Sequence, residues 1–243
     1  MIACCNMAKN SLSHFSGLRS AEKAVVSLAD KFNNLFANER LITFKYLRKN
    51  LDTDQRKLID WLLDLKPGSF GLKTPFYGIE EPVDSMHFSA QTYLRHNDNG
   101  KSYKVTQYVP AKVYLAFRNM NQAFVSEYPK QRMLIASAYR SPAYQTMLII
   151  YYVKQKKFNL TKVLNRVALP GYSEHGLINQ TALDLEDSWD HPKSYDDVNF
   201  CRTVQYRWLI KNAQTFDFGL SYPKDNSDGI DFEPWHWRYL KNV

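Results

Sequence analysis

The sequence predicts an α+β fold: a small antiparallel sheet with flanking helices, preceded by a helical N-terminal region. Two observations carry this. Residues 20–65 place apolar side chains at helical spacing, whereas the later part of the chain mixes short apolar runs of strand length with helical stretches and lacks a regular strand–helix–strand rhythm. A chain of 243 residues that is 44% hydrophobic and 14% aromatic carries enough apolar material for a real core, which excludes wholesale disorder.

In the N-terminal region Val25, Val26, Leu28, Phe32 and Leu35 fall near one helical face. A second helix is expected from about Asn38 to Lys49, and Thr53 or Asp54 can cap a third that carries Leu58, Trp61, Leu62 and Leu65 and stops at Pro67-Gly68. From Lys66 to about Lys104, recurring Gly, Pro, Asn and Asp predict loops and short hairpins. His87 and His96 lie there and read as surface or packing histidines.

After Pro110 the pattern sharpens. Val113, Met120, Ala123 and Phe124 mark a helix ending near Tyr128-Pro129, and Met133 to Ala138 is an apolar run suited to a buried strand. Pro142 suits the first turn of a further helix running to about Lys157. Strands are expected at Thr181 to Leu185, at Gly219 to Tyr222 and around Phe232 to Tyr239, with a helix from about Val198 to Ala213.

Charge and composition narrow the function classes. The net charge of +8 divides into +4 in residues 1–104 and +4 in 105–243, so no basic tail or stripe exists of the kind a nucleic-acid binder concentrates on one face. The longest apolar run, Met147 to Val153, falls far short of the roughly 18 to 20 residues that span a bilayer. Cys4, Cys5 and Cys201 cannot form a disulfide framework and lack zinc-ribbon spacing. The opening Met1-Ile2-Ala3-Cys4-Cys5 looks like the end of a bacterial lipoprotein signal, making Cys4 a candidate lipid-anchor site, although the charged and apolar stretches that should precede it are missing.

Three late segments, residues 136–145, 171–187 and 231–240, hold two histidines and several carboxylates in short strands and turns, a supply of metal ligands. Catalytic zinc takes three protein ligands and keeps one open position for a water that it acidifies. His175, Asp184 and His236 give two neutral nitrogens and one carboxylate, which leaves a mononuclear site at +1 and a good Lewis acid. Glu233, three residues before His236, is the candidate proton shuttle. An i, i+3 pair in a flat strand points to opposite faces, so either Pro234 bends the chain or Glu233 sits where the strand begins. Arg140, at the end of the buried strand, can balance an oxyanion.

These segments resemble the VanY-like D-alanyl-D-alanine carboxypeptidases and related LD-carboxypeptidases, zinc peptidases that trim peptidoglycan stem peptides. The resemblance rests on Ser137-Ala138-Tyr139-Arg140-Ser141 with Gln145, on Ser173-Glu174-His175 with Ala182-Leu183-Asp184, and on Glu233-Pro234-Trp235-His236-Trp237-Arg238-Tyr239. It covers residues 105–243, so residues 1–104 are set apart as a helical and loop-rich region of unknown role. The resemblance implies His175, Asp184 and His236 as zinc ligands, one ion per chain, Glu233 as general base and acid, and Arg140 on the scissile carbonyl. Ser137, Gln145 and Ser173 then hold the peptide, and Trp235 shapes the pocket wall. It also implies a cell-envelope location, periplasmic or extracytoplasmic, with a peptidoglycan stem peptide as partner.

One departure matters. The family's His and Asp are seven residues apart, whereas nine separate His175 from Asp184 here. A bulge or longer loop absorbs two residues without moving either ligand. The alternatives are LD-carboxypeptidase or endopeptidase action at the same site, or a binding relic that has lost its metal; retention of Glu233 speaks against the relic, which needs no proton shuttle.

Overall fold

A computed structural model describes residues 18–36, 39–82, 88–96, 102–187 and 200–241. Cys4 and His87 lie outside these residues. The packing forms two units that interleave along the chain, and it follows a different division from a single cut near residue 104. One unit draws its described residues from Met1–Val83, Arg140–Gly176 and Ser227–Asp231, the other from Asp84–Tyr139, Leu177–Asn226 and Phe232–Val243.

The first unit is helical. Helix α1 (Leu18–Lys31) runs into a short π turn at Phe32–Phe36, followed by α2 (Phe44–Lys49), α3 (Thr53–Asp64), α5 (Pro142–Gln155) and the short α6 (Leu160–Leu164). Val25, Leu28, Phe32, Leu58, Ile59, Met147 and Ile150 meet in one core. Local chemistry sets the boundaries. The second helix starts at Phe44 rather than near Asn38, because Thr43 holds an extended backbone and its side chain accepts from the Tyr46 N–H. The third is capped by Asp52, one residue earlier than expected, in a reciprocal capping box with Gln55. Gln55 is itself buried, and its amide also donates to Ser27 Oγ at 2.9 Å while accepting from Lys31 at 2.9 Å.

At the head of α5, Ser141 Oγ accepts from the Tyr144 N–H at 3.1 Å and donates to the Ile42 carbonyl at 2.6 Å, with the residue fully buried. Pro142 occupies the first turn, where its missing N–H costs nothing. Ser141→Ala removes the cap and orphans a carbonyl, so a loss of about 2–3 kcal/mol is expected, read as a lower denaturant midpoint at unchanged slope.

The second unit holds both sheets. Within the stretch expected as loops and short hairpins, β1 (Phe88–His96) pairs antiparallel with β2 (Ser102–Pro110), each strand nine residues long, a longer pairing than expected that runs past Lys104. The runs Thr92-Tyr93-Leu94 and Val105-Thr106-Gln107-Tyr108-Val109 carry the β-branched and aromatic residues that favour a pleated surface, a signal that the flanking Gly and Asn outweigh in the sequence. Helix α4 (Ala111–Glu127) leads to β3 (Leu134–Ser137), β4 (Ala182–Glu186), α7 (Val204–Asn212), β5 (Phe218–Leu220) and β6 (His236–Tyr239). The four short strands form an antiparallel sheet in the order β3-β4-β6-β5. Val113, Phe117, Phe124, Ile135, Leu183, Leu185, Trp208 and Trp237 fill its core.

Helix α7 begins at Val204, after a Thr203 cap; the expected start at Val198 lies outside the described residues. The last strand begins at His236 rather than near 232. Side-chain amides finish the outer edge of β3: Gln107 donates to the Ala136 carbonyl at 2.7 Å and its cross-strand partner Gln91 to the Ile135 carbonyl at 3.2 Å. Among the described residues no helix is long and apolar enough to cross a membrane.

Candidate active site

Strands β4 and β6 create the heart of the site. Their register sets Asp184 directly opposite His236, so the two side chains rise on the same face of the sheet. Asp184 Oδ1 lies 3.0 Å from His236 Nδ1, and both residues are buried, at 7% and 3% exposure. The neighbours Leu183 and Leu185 enter the core, which leaves Asp184 on the other face of its strand. On the opposite edge of β4 the register pairs Asp184 with Ser137, after an irregularity between Ile135 and Ser137 in β3.

Glu233 reaches the same point by a turn. Residues 234 and 235 form that turn ahead of β6, closed by the His236 N–H donating to the Glu233 carbonyl at 3.1 Å. The i, i+3 problem posed by the sequence is solved because Glu233 precedes the strand, and its Oε2 lies 3.6 Å from His236 Nδ1. Trp237 Nε1 donates to the Pro234 carbonyl at 2.9 Å and the Glu233 N–H to the Tyr222 carbonyl at 3.1 Å, which pins the turn from both sides. The Tyr222 ring packs 4.8 Å from the His236 ring. Trp235 is buried and its carbonyl accepts from the Leu185 N–H at 2.9 Å, so it braces β4 as well as the turn.

His175 stands on a short 3₁₀ turn, Glu174–Gly176, and is 2% exposed. The Gly176 N–H donates to the Ser173 carbonyl and the Arg140 N–H to the His175 carbonyl, each at 3.0 Å. The five residues from Leu177 to Thr181 form an irregular connection before β4, held by the Thr181 hydroxyl donating to the Leu177 carbonyl, and the longer interval between His175 and Asp184 is taken up here. His175, Asp184 and His236 each offer one ligand atom, these atoms lie within 4.8 Å of one another, and all three residues are buried.

This donor set suits zinc, which takes imidazole nitrogens and carboxylate oxygens at about 2.0–2.2 Å. Ligands at that distance in a tetrahedron stand about 3.3 Å apart, close to the observed separation of Asp184 Oδ1 and His236 Nδ1.

The remaining predicted residues have definite places. Arg140 is half-buried, while Ser137 and Ser173 are buried. Gln145 is also buried, on α5, with its amide donating to the Ala168 carbonyl at 2.7 Å. Two residues near the motifs carried no signal in the sequence because they belong to the N-terminal region. Tyr77 donates to Glu174 Oε1 at 3.2 Å and its N–H to the Gly171 carbonyl at 2.8 Å. Gly171, at φ +82°, has no room for a side chain, since a Cβ there would stand 2.5 Å from the Phe76 ring. The second is Arg40, whose carbonyl accepts from the Ser141 N–H at 3.0 Å.

The arrangement is thus a candidate mononuclear metal centre on an α+β scaffold, with a carboxylate beside the donor set. The chain belongs to the VanY family of D-alanyl-D-alanine carboxypeptidases, whose family model matches residues 106–242. Curated relatives include the bifunctional D-Ala-D-Ala dipeptidase and D-Ala-D-Ala carboxypeptidase VanXYC of Enterococcus gallinarum, 31% identical over 111 residues, or 44% of this chain and 55% of that protein. A D-alanyl-D-alanine carboxypeptidase of Enterococcus faecalis is 37% identical over 76 residues, 30% of this chain and 25% of that one. This chain therefore spans only part of the length of the relatives it matches. Among solved structures, VanYB in complex with D-alanine-D-alanine aligns with a TM-score of 0.43 at 23% identity, over 66% of this chain and 82% of that one.

Proposed function

We propose that this chain is a zinc-dependent carboxypeptidase that removes a C-terminal D-alanine from peptidoglycan stem peptides at the cell envelope, with residues 105–243 carrying the catalytic machinery. The observation that carries the reading is the buried His175–Asp184–His236 donor set with Glu233 next to it. A donor set alone suits a structural ion, but a carboxylate held beside the ligands without being needed as one suits proton transfer.

In this reading His175, Asp184 and His236 hold one zinc ion, which when bound polarises the scissile carbonyl and acidifies a water. Glu233 takes the proton from that water and delivers it to the departing amine of D-alanine. The turn at Pro234 and Trp235, anchored to Tyr222 and Trp237, keeps the Glu233 carboxylate from swinging away between the two transfers. Arg140 bears on the carbonyl oxygen as charge develops there. Ser137, Gln145 and Ser173 hold the stem peptide, and Trp235 forms pocket wall.

Incubating the full chain with purified muropeptides and reading the products by mass spectrometry tests the reading. The expected result is loss of one terminal alanine from pentapeptides, abolished by a zinc chelator and restored by added zinc. Loss from tetrapeptides alone would reassign the enzyme to the LD class, and unchanged peptides with zinc present would overturn the peptidase reading.

A further inference from the structure

His175 stands on a 3₁₀ turn of only three residues, too short to hold a side chain in place by its own hydrogen bonds. A metal ligand nevertheless has to meet its ion to within about 0.2 Å of the ideal bond length. Part of what steadies the turn comes from the N-terminal region, outside the residues 106–242 that match the family.

Residues 72–79 form neither helix nor strand, yet their root is fixed. Leu72 is buried in the helical core, and the Lys73 N–H donates to the Asp228 carbonyl at 3.0 Å. Gly229 packs beside them, so that a Cβ there would stand 3.4 Å from the Gly71 carbonyl and 3.7 Å from the Leu72 side chain. Arg166 Nε lies 3.3 Å from Asp231 Oδ2, which ties this loop in turn to the chain just after α6.

Further along, the same segment grips the approach to His175 at three points. The Tyr77 N–H donates to the Gly171 carbonyl at 2.8 Å, the Phe76 ring meets the Tyr172 ring with centroids 5.1 Å apart, and the Tyr77 phenol donates to Glu174 Oε1 at 3.2 Å. Gly171, which has no room for a side chain, lets Phe76, Gly78 and Ile79 close over it. Glu174 is 4% exposed, so its carboxylate depends on hydrogen bonds from the protein rather than from water. Tyr77 supplies one of them and thereby holds the immediate neighbour of His175. Every one of these contacts falls inside the helical unit.

We propose that residues 72–79 are a positioning strap for the metal site, with the Tyr77–Glu174 hydrogen bond as the pin that presets the His175 turn. The inference rests on the zinc reading above and gives part of the N-terminal region a task. A turn ordered before the metal arrives does not have to be ordered by it, so the strap shows itself as zinc affinity. Tyr77 acts through Glu174 and the backbone, as a positioning residue rather than a ligand.

The test measures metal binding by the full chain, without substrate, for wild type, Tyr77→Phe and Glu174→Gln. Zinc dissociation constants come from competition with a chelator, and the visible absorption of the cobalt(II)-substituted protein reports the geometry of the donor set. Tyr77→Phe keeps the ring and removes only the pin. It is expected to weaken zinc binding by about 10-fold, the lower end of the range for groups that orient metal ligands, and to change the cobalt bands. Glu174→Gln keeps an acceptor for the phenol and is expected to stay within a few-fold of wild type with unchanged bands. Wild-type zinc affinity and cobalt bands in Tyr77→Phe would overturn the proposal, even if the chelated variant unfolds at a lower denaturant midpoint, because the bond would then serve stability alone. A loss in Glu174→Gln as large as in Tyr77→Phe would transfer the effect to the carboxylate charge and likewise overturn the pin. Wild type that binds neither metal would overturn the zinc reading itself.

Discussion

Glu233→Ala is expected to lower the rate of alanine release by roughly 10²- to 10⁴-fold, the usual worth of a positioned acid–base group, while bound zinc stays near one ion per chain. Two geometric facts separate the effects on chemistry and metal. Glu233 lies 3.6 Å from His236 Nδ1, close enough to share a water with the site, but the donor set is complete without it. Its backbone anchors, to Tyr222 and within the turn to His236, run through main-chain atoms and survive the substitution. Zinc content by elemental analysis and product release by mass spectrometry, measured on the same preparation, check the expectation. Unimpaired turnover would remove Glu233 from the mechanism, and loss of metal together with activity would make it a ligand instead. Glu233→Gln, nearly the same shape without a titrating oxygen, is expected to be as inactive as Ala.

His236→Ala is expected to act on metal and stability together. Zinc binding should fall from near one per chain to near zero, because two donors do not hold the ion against water as three do. Stability should fall even in the metal-free state, since the imidazole is a hydrogen-bond partner of Asp184, 3.0 Å away at a site 7% exposed. Breaking a buried charged hydrogen bond by deleting one partner costs about 2–4 kcal/mol. Denaturant unfolding of chelated wild type against chelated His236→Ala isolates this part, and adding zinc to each measures the rest, which grows with metal concentration in the wild type alone. Equal midpoints for the two chelated proteins would show that the pair contributes nothing to folding, and retained zinc would exclude His236 as a ligand.

Much of the site's chemistry was legible in the sequence because it lies in residue types and short spacings. Asp184 belongs on the strand face away from Leu183 and Leu185 by the two-residue period, and the structure sends both leucines to the core. The same local logic foresaw Pro142 in the first turn of a helix, and required either a bend at Pro234 or a Glu233 placed at the start of the strand. Other expectations failed where one local signal competed with another. The many turn residues between Lys66 and Lys104 concealed the length of the strand pair that begins there, and the second helix was expected from Asn38 although Thr43 offers the stronger start. The capping box placed the third helix's start at Asp52, which only the Gln55 partnership distinguishes from its neighbours.

By itself, then, the sequence determined which groups are available: two imidazoles, an aspartate, a glutamate and an arginine, set in strand and turn contexts that a period of two or a capping residue can specify within a few positions. The tertiary structure alone decided that Asp184 and His236, 52 residues apart in the chain, occupy one register position, and that Arg40 shares its hydrogen-bond network with Ser141. The reason is that periodicity and capping act between neighbours along the chain, whereas strand register and loop docking are settled by the burial of whole faces, a free energy that belongs to no short segment.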